Sequence, residues 1–278
     1  MSKTWFITGA SRGFGRRFAE AALSRGDRVA ATARRADTLT ELVVTYGDAV
    51  LPLQLDVTDK AEVARAVART HEHFGALDVV VNNAGYGLFG ALEELTEADV
   101  RAQFETNVFG SLWVAQAALP YLREQRSGHI IMLSSMLGIA AFPTTGGYTA
   151  SKAAVEGLAD SLSQEVAGFG IKVTVVQPGA FATEFGASSS YSAPLAEYDE
   201  VRNAFMSGFA DVEMGDPAGV GPAILKLVDA ENPPLRVFFG TPPLQLVPHI
   251  YGTRLEEWNE WAWLSAEAEK NQTATSLT

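Results

Sequence analysis

The chain has 278 residues, 47% hydrophobic and 19% charged, a balance that suits a soluble globular protein with room for a large core. It has no cysteine, which excludes disulfides, thiol catalysis and cysteine–zinc sites. A net charge of −12 argues against a broad nucleic-acid surface.

No apolar run reaches about 18 residues, and no secretory pattern opens the sequence, so a cytoplasmic protein without a membrane span is expected. His71, His73, His129 and His249 show no metal-ligand grouping, and no metal is expected.

In chain order, KTWFIT (3–8) reads as a buried strand, followed by the turn GASRGFG and a helical stretch ending at Gly26. RVAATA (28–33) is a second strand, DTLTELVVTYG a helix, and AVLPLQLDV (49–57) a third strand. A helix covers about 59–73, with Val63, Ala66, Val67 and Phe74 near helical spacing. LDVVVN (77–82) is strand four. Thr96 has the character of an N-cap for a long helix to about 125, with Pro120 as a kink point. HIIMLSS (129–135), a helix over 148–168, IKVTVVQPG (171–179) and LRVFFG (235–240) complete the series. Strands apolar through their width and alternating with helices imply an α/β fold, with a seven-stranded, mainly parallel sheet covered by helices on both faces. Residues 183–214 are too long for an ordinary connection and read as a lid. Residues 241–278 form an extension whose Leu255, Trp258, Trp261 and Leu264 are expected to pack on the body or on another subunit. The last residues, NQTATSLT, are expected to be disordered.

Thr8-Gly9-x-x-x-Gly13-x-Gly15 lies between the first strand and the first helix. Glycines let the backbone approach a pyrophosphate, and the helix N-terminus favours its charge. A dinucleotide lacking a 2′-phosphate usually meets an acid at the end of strand two. This chain has Ala33, Arg34 and Arg35 there, and Arg12 in the glycine loop. That pattern favours NADP(H), with Arg34 ahead of Arg35; the alternative is a pair of solvated loop charges.

SSMLGIAAFPTTGGYTASK (134–152) sets Ser135 thirteen residues before Tyr148 and Lys152 four after it. On a helix, Tyr148 and Lys152 share a face. A free phenol has a pKa of about 10, and a buried neighbouring cation would pull it down by favouring the phenolate. Such a tyrosine passes protons to and from a carbonyl or alcohol oxygen.

Together TGASRGFG (8–15), LDV (55–57), NNAG (82–85), Asn107 in TNVFG, Ser135, Tyr148-x-x-x-Lys152 and PGAFAT (178–183) give the chain a resemblance to the short-chain dehydrogenase/reductase family over about residues 3–240. ATARRADTL, the PPLRVFFG strand and the Trp-containing tail are loosely similar to bacterial 17β-hydroxysteroid-dehydrogenase-like oxidoreductases. The resemblance implies a single Rossmann-like, doubly wound catalytic domain over 1–240. It implies that Gly9, Gly13 and Gly15, with Ser11 and Phe14 in the same loop, hold the diphosphate, and that Arg12 and Arg34 serve NADP. Asp56 would contact adenine with Val57 beside it, unless Asp56 is only a turn residue. Asn83, Ala84 and Gly85 would support the adenosine ribose. Asn107 would hold a water on the path to Lys152, or bridge locally. Ser135, favoured over Ser134 by spacing, would bind the substrate oxygen. Tyr148 would transfer the proton, and Lys152 would bind the nicotinamide ribose and bias Tyr148. Pro178, Gly179 and Thr183 would line the nicotinamide end, or Pro178-Gly179 is only a turn. Tyr86, Leu137, Phe142, Phe181 and Phe185 are expected around a small hydrophobic carbonyl or alcohol, though each is also a candidate core residue.

The expected activity is hydride transfer between NADPH and a ketone, aldehyde or secondary alcohol. Alcohol oxidation as the physiological direction and a catalytically silent NADP-sensing protein are the rivals. The resemblance also implies a homodimer or homotetramer built on the helices near 97–125 and 148–168.

Overall fold

Strands that are apolar on both sides need cover on both faces, and the sheet is built that way. The computed structural model describes residues 2–210 and 212–269. Its strands are β1 (Thr4–Ile7), β2 (Arg28–Ala33), β3 (Val50–Gln54), β4 (Val79–Asn82), β5 (Leu88–Phe89), β6 (Gly128–Leu133), β7 (Ile171–Pro178), β8 (Ser190–Tyr191) and β9 (Arg236–Phe239). Its helices are α1 (Gly13–Ser24), α2 (Thr40–Tyr46), α3 (Lys60–Phe74), α4 (Glu97–Phe104), α5 (Gly110–Gln125), α6 (Gly146–Val166), α7 (Asp199–Ala210), α8 (Val220–Asp229), α9 (Pro242–Glu260) and α10 (Ala262–Ala268).

The main sheet runs β3-β2-β1-β4-β6-β7-β9, and every pair in it is parallel. The chain winds outward one way from β1 and then the other way from β4. The crevice between those two strands is therefore the topological switch point of a Rossmann-like sheet. Alternate residues sort to opposite faces. Phe6, Val80, Ile130 and Val175 pack with Val67, Val114 and Leu162 from α3, α5 and α6. Trp5, Ile7, Val81 and Ile131 pack with Phe18 and Ile224 from α1 and α8. Full burial of one such side chain contributes about 1.5–3 kcal/mol.

Three segments carry detail that the pattern did not show. The long helix runs over 97–125 without a break, with Pro120 inside α5, and widens into a π-helical turn at Glu105–Phe109 that contains Asn107. Within residues 183–214, β8 pairs with β5, and α7 follows. In the extension, Leu255, Trp258, Trp261 and Leu264 are exposed rather than packed on the body. The extension meets the body instead through Pro243, which faces Gly179, through buried Val247, and through Arg254, whose guanidinium donates to the Ile139 carbonyl at 2.8 Å. The residues NQTATSLT lie outside the described residues.

His129 on β6 is buried, and its Nε2 meets the Thr174 hydroxyl at 2.9 Å. That hydroxyl donates to the Pro234 carbonyl, so the imidazole Nε2 is the donor to Thr174. Burial, reinforced by Lys172 and Lys3, lowers the His129 pKa to about 4. The folded state binds this proton more weakly than the unfolded chain, whose imidazole titrates near 6.5. Stability from this group is thus present above about pH 6.5 and is lost as pH falls toward 4. Between pH 7.5 and 5 the wild type should lose about 2 kcal/mol through His129, measured by urea unfolding. His129→Gln should flatten that part of the slope.

Candidate active site

In a parallel sheet the strand ends that face a ligand all lie along one edge. There β1 delivers Thr8 and Gly9, β2 Arg34, β3 Asp56, β4 Asn83–Gly85, β6 Ser135, and β7 Gly179 and Thr183. Gly9 and Gly13 take φ of +67° and +56°, the left-handed region that glycine enters without strain. Gly15 faces a different constraint. A Cβ there would lie 2.4 Å from the Gly9 carbonyl oxygen and 2.5 Å from Asn83 Nδ2. That Nδ2 donates to the carbonyls of Thr8 (2.9 Å) and Gly9 (3.1 Å). Thr8 completes the joint. Its hydroxyl accepts from the Asn83 and Ala84 amides at 2.9 and 3.0 Å and donates to the Val81 carbonyl. The α1 N-terminus has no side-chain cap and no acid in its first turn, so its free amides face the loop.

The side chains of Arg12 and Arg34 are exposed and make no hydrogen bond or ion pair among the described residues. Arg35 is engaged with Asp37. A neighbouring carboxylate would offset a cation's attraction for a phosphate, so Arg34 is the freer of the pair. Asp56 spends one carboxylate oxygen on the amide and hydroxyl of Thr58, at 3.0 and 2.8 Å. It is thus a turn residue whose other oxygen makes no hydrogen bond within the described residues. Val57 is buried against Gly110. Ser11 is half-buried in the loop. These residues fit a dinucleotide: the cradle has room only where side chains are missing, and two cation side chains stand unpaired, Arg12 in the glycine loop and Arg34 at the strand-two end.

At the other end, Tyr148 is the third residue of α6 and Lys152 lies one turn on. Both are buried. Lys152 Nζ donates to the Leu133 carbonyl at 2.7 Å and sits 5.7 Å from the Tyr148 ring centre. Ser135 Oγ accepts from the Leu137 amide at 3.1 Å, leaving its own proton to donate. Burial pushes the Tyr148 phenol above its ordinary value, with Ser135 acting in the opposite direction. Burial also lowers Lys152 to about 8, with Glu156 opposing. Burial thus favours the neutral phenol.

Asn107 uses its whole amide locally. Nδ2 donates to the Tyr86 carbonyl and to Ser151 Oγ, both at 3.0 Å, and Oδ1 accepts from the Tyr86 amide at 3.1 Å. A π-turn widens the helix at this residue, a distortion frequent at functional sites. A Cβ on Gly85 would lie 2.9 Å from Asn107 Oδ1 and 3.5 Å from Lys152 Nζ, so the glycine keeps that space open.

Of the expected pocket residues, Phe185 comes to 5.6 Å from the Tyr148 ring and Phe142 stacks on Phe205 of α7 at 5.8 Å. Leu137 is half-buried beside Ser135. Tyr86 is half-buried, its phenol raised by burial and Asp99, with Arg34 opposing. Phe181 packs edge-on against Phe14 at 5.0 Å, on the glycine-loop side. Pro178-Gly179 ends β7, where the Gly179 amide donates to the Phe239 carbonyl. Thr183 Oγ1 accepts from the Phe185 amide at 3.3 Å.

Several contributors escaped the sequence. Phe89, 6.0 Å from the Tyr148 ring, lies on a two-residue strand too short to show a period. Glu94, nearly fully buried, accepts from the Ala91 and Leu195 amides and from Arg202 of α7, and so latches the 183–214 segment to the body. Thr8 stood in the glycine motif with no role assigned to its side chain.

The family model described as short chain dehydrogenase matches residues 3–193. The chain is 38% identical over 239 residues to 3-ketodihydrosphingosine reductase of Bacteroides thetaiotaomicron, across 84% of this chain and 86% of that protein. It superposes on a short-chain dehydrogenase from Streptomyces avermitilis with a TM-score of 0.91 at 39% identity, covering 97% and 99% of the two chains. A short chain dehydrogenase from Burkholderia cenocepacia in complex with NADP superposes with a TM-score of 0.74 at 26% identity, covering 93% and 97%.

The Thr8 joint generates a stability prediction. Thr8→Val keeps the shape but leaves the Ala84 amide without its acceptor and the Asn83 amide with only the Val81 carbonyl, which should cost about 2 kcal/mol in chemical denaturation. Thr8→Ser keeps the hydroxyl and should cost about 1 kcal/mol or less.

Proposed function

The chain belongs to the short-chain dehydrogenase family and is an NAD(P)-dependent oxidoreductase; from that premise we propose that it uses NADP(H) to reduce a hydrophobic ketone or aldehyde to the alcohol. The observation that carries the reading is the geometry of the site: Tyr148 is buried with the Lys152 ammonium 5.7 Å from its ring centre, and Ser135 keeps a hydroxyl proton to donate. A protonated phenol is a general acid, as carbonyl reduction needs, whereas alcohol oxidation needs the phenolate.

In this reading the amides around Gly9, Gly13 and Gly15, with Ser11, hold the diphosphate. Arg12 and Arg34 hold the 2′-phosphate. The free oxygen of Asp56, with Val57, takes the adenine, and Asn83–Gly85 back the ribose. Lys152 holds the nicotinamide ribose, and Pro178, Gly179 and Thr183 line the carboxamide end. When bound, the nicotinamide supplies the hydride that reduces the carbonyl carbon. Ser135 donates a hydrogen bond to the substrate oxygen and fixes its position. Tyr148 gives its proton to that oxygen as negative charge builds there, and the Lys152 ammonium stabilises the phenolate left behind. Asn107 acts at one remove by clamping the Tyr86 backbone and Ser151. Phe142 and Phe185, with Phe89 and Phe205, supply an aromatic surround that suits an apolar carbonyl. The name of the Bacteroides relative, a keto-group reductase, supports the same direction.

We also propose a cytoplasmic homo-oligomer. Phe109 is exposed and stacks on Trp113 along the outer face of the 97–125 helices, which supports a subunit contact there. Among the described residues no helix is long and apolar enough to cross a membrane.

A panel of apolar ketones and aldehydes, followed by loss of NADPH absorbance, tests the reaction. Turnover is expected, and Tyr148→Phe should lower kcat by about a thousandfold. Equal rates for the two proteins would sink the mechanism. Arg34→Asp should shift the NADPH/NADH ratio of kcat/KM toward NADH by about ten- to a hundredfold. An unchanged ratio would remove Arg34 from the cofactor site.

A further inference from the structure

Below the reacting groups, one turn beyond Lys152, lies a carboxylate to which the proposed chemistry gives no role. Glu156 is on α6, and its side chain is about nine-tenths buried. The i, i+4 spacing puts it on the lysine's face. Its Oε1 accepts from Gln177 Nε2 at 2.9 Å, and Gln177 on β7 immediately precedes Pro178-Gly179. Its Oε2 lies 3.4 Å from Arg236 Nε on β9 without hydrogen-bonding geometry, and that guanidinium is bound to Asp160. Its Cγ would lie 3.3 Å from a Cβ on Gly138, in the turn that follows Ser135. One carboxylate thus touches the strand entering the nicotinamide end and the serine-bearing loop, and shares a helix face with the lysine.

We infer that Glu156 is a positioning residue: its negative charge keeps Lys152 an ammonium inside a closed interior, and Arg236 sets how much of that charge the lysine feels. The inference rests on the proposed use of Lys152 as a cation. The groups around Nζ are few. Tyr148 faces it from the same helix and the Leu133 carbonyl from β6, while Gly85 and the Asn107 amide bound it on the far side. None of these is an acid, and the acidic side chain one turn along the same helix face is Glu156. Burial has brought the ammonium to about 8, within one unit of neutrality, so a modest change in field decides its protonation. Glu156 has its own competitor. Arg236 is part-exposed and already shared with Asp160 and Glu156. Removing Arg236 leaves the Glu156 charge less compensated where it faces the lysine.

The test compares wild type, Glu156→Gln, Arg236→Gln and Lys152→Met. For each, the NADPH dissociation constant, from the cofactor's own fluorescence, and kcat/KM are followed between about pH 6 and 10. Glu156→Gln keeps an acceptor for Gln177 but removes the charge. Its alkaline limb should move down by about one pH unit in both measurements, a loss of up to about tenfold on that limb with little change near pH 6.5. Arg236→Gln should move the limb up. A Glu156→Gln profile that superimposes on wild type, or that is lowered by one constant factor at every pH, overturns the inference. If Glu156→Gln fails to fold, Arg236→Gln decides alone, and an unmoved limb overturns the inference. Lys152→Met separates the two readings. Wild-type activity and affinity in that variant remove the lysine cation, and the inference with it. Loss of both with an unmoved Glu156→Gln profile removes Glu156 alone.

Discussion

One hydroxyl ties the two halves of the sheet together at the place where they part. Thr8 stands at the end of β1, and its oxygen takes two amides from the loop after β4 while its proton goes to β4 itself. Asn83 returns the connection by donating to the two carbonyls that open the glycine loop. The switch point of a doubly wound sheet is a gap by construction, because the chain leaves it in opposite directions. Without cross-links its two loops would move independently. With them, the glycine loop and the NNAG loop form one rigid wall, and Gly15 has no room for a side chain because that wall is closed. The proposed nucleotide site then follows from geometry: amides on one side, one unpaired arginine in the glycine loop and another at the strand-two end, and the helix bearing Tyr148 across the sheet.

The chemical end is governed by the absence of water. Tyr148 and Lys152 are buried together, and each is pushed toward its neutral form. Desolvation of this kind makes electrostatic interactions stronger over short distances. It gives weight to a single hydroxyl at Ser135, a single carbonyl at Leu133 and a single carboxylate at Glu156. The segment after β7 helps to maintain the enclosure. It is fastened by the β5–β8 ladder and by the Glu94–Arg202 pair, and it brings Phe185 against the tyrosine ring.

What the sequence disclosed follows from the range of the interactions involved. β4 and β6 were readable because Val79–Val81 and Ile130–Ile131 are apolar on both faces, a pattern that a parallel interior strand forces. The Tyr148–Lys152 pair was readable because helical spacing is local. β5 and β8 were not, since two residues cannot show a period. The π-turn at Asn107 gave no signal, because ETNVF holds neither glycine nor proline. The Glu94–Arg202 and Arg254–Ile139 contacts join residues 108 and 115 apart, so only the finished fold brings them together. Spacing reveals the cation near Tyr148 and conceals the burial that acts on both groups.

The extension shows the same limit, and it has an optical consequence. Its apolar residues recur as an amphipathic helix would have them, yet Trp258, Trp261 and Trp263 are 66%, 55% and 57% exposed. Those three are the majority of the five tryptophans in the chain. Trp5 is sealed in the core, and Trp113 lies half-buried on α5. The ultraviolet emission of the protein is therefore dominated by its least buried part. Indoles in contact with water emit at longer wavelength than enclosed ones, so the emission maximum reports what covers α9 and α10 rather than the state of the sheet. The molecule carries a built-in dye at its carboxyl end, tethered through Arg254 to the loop that holds Ser135.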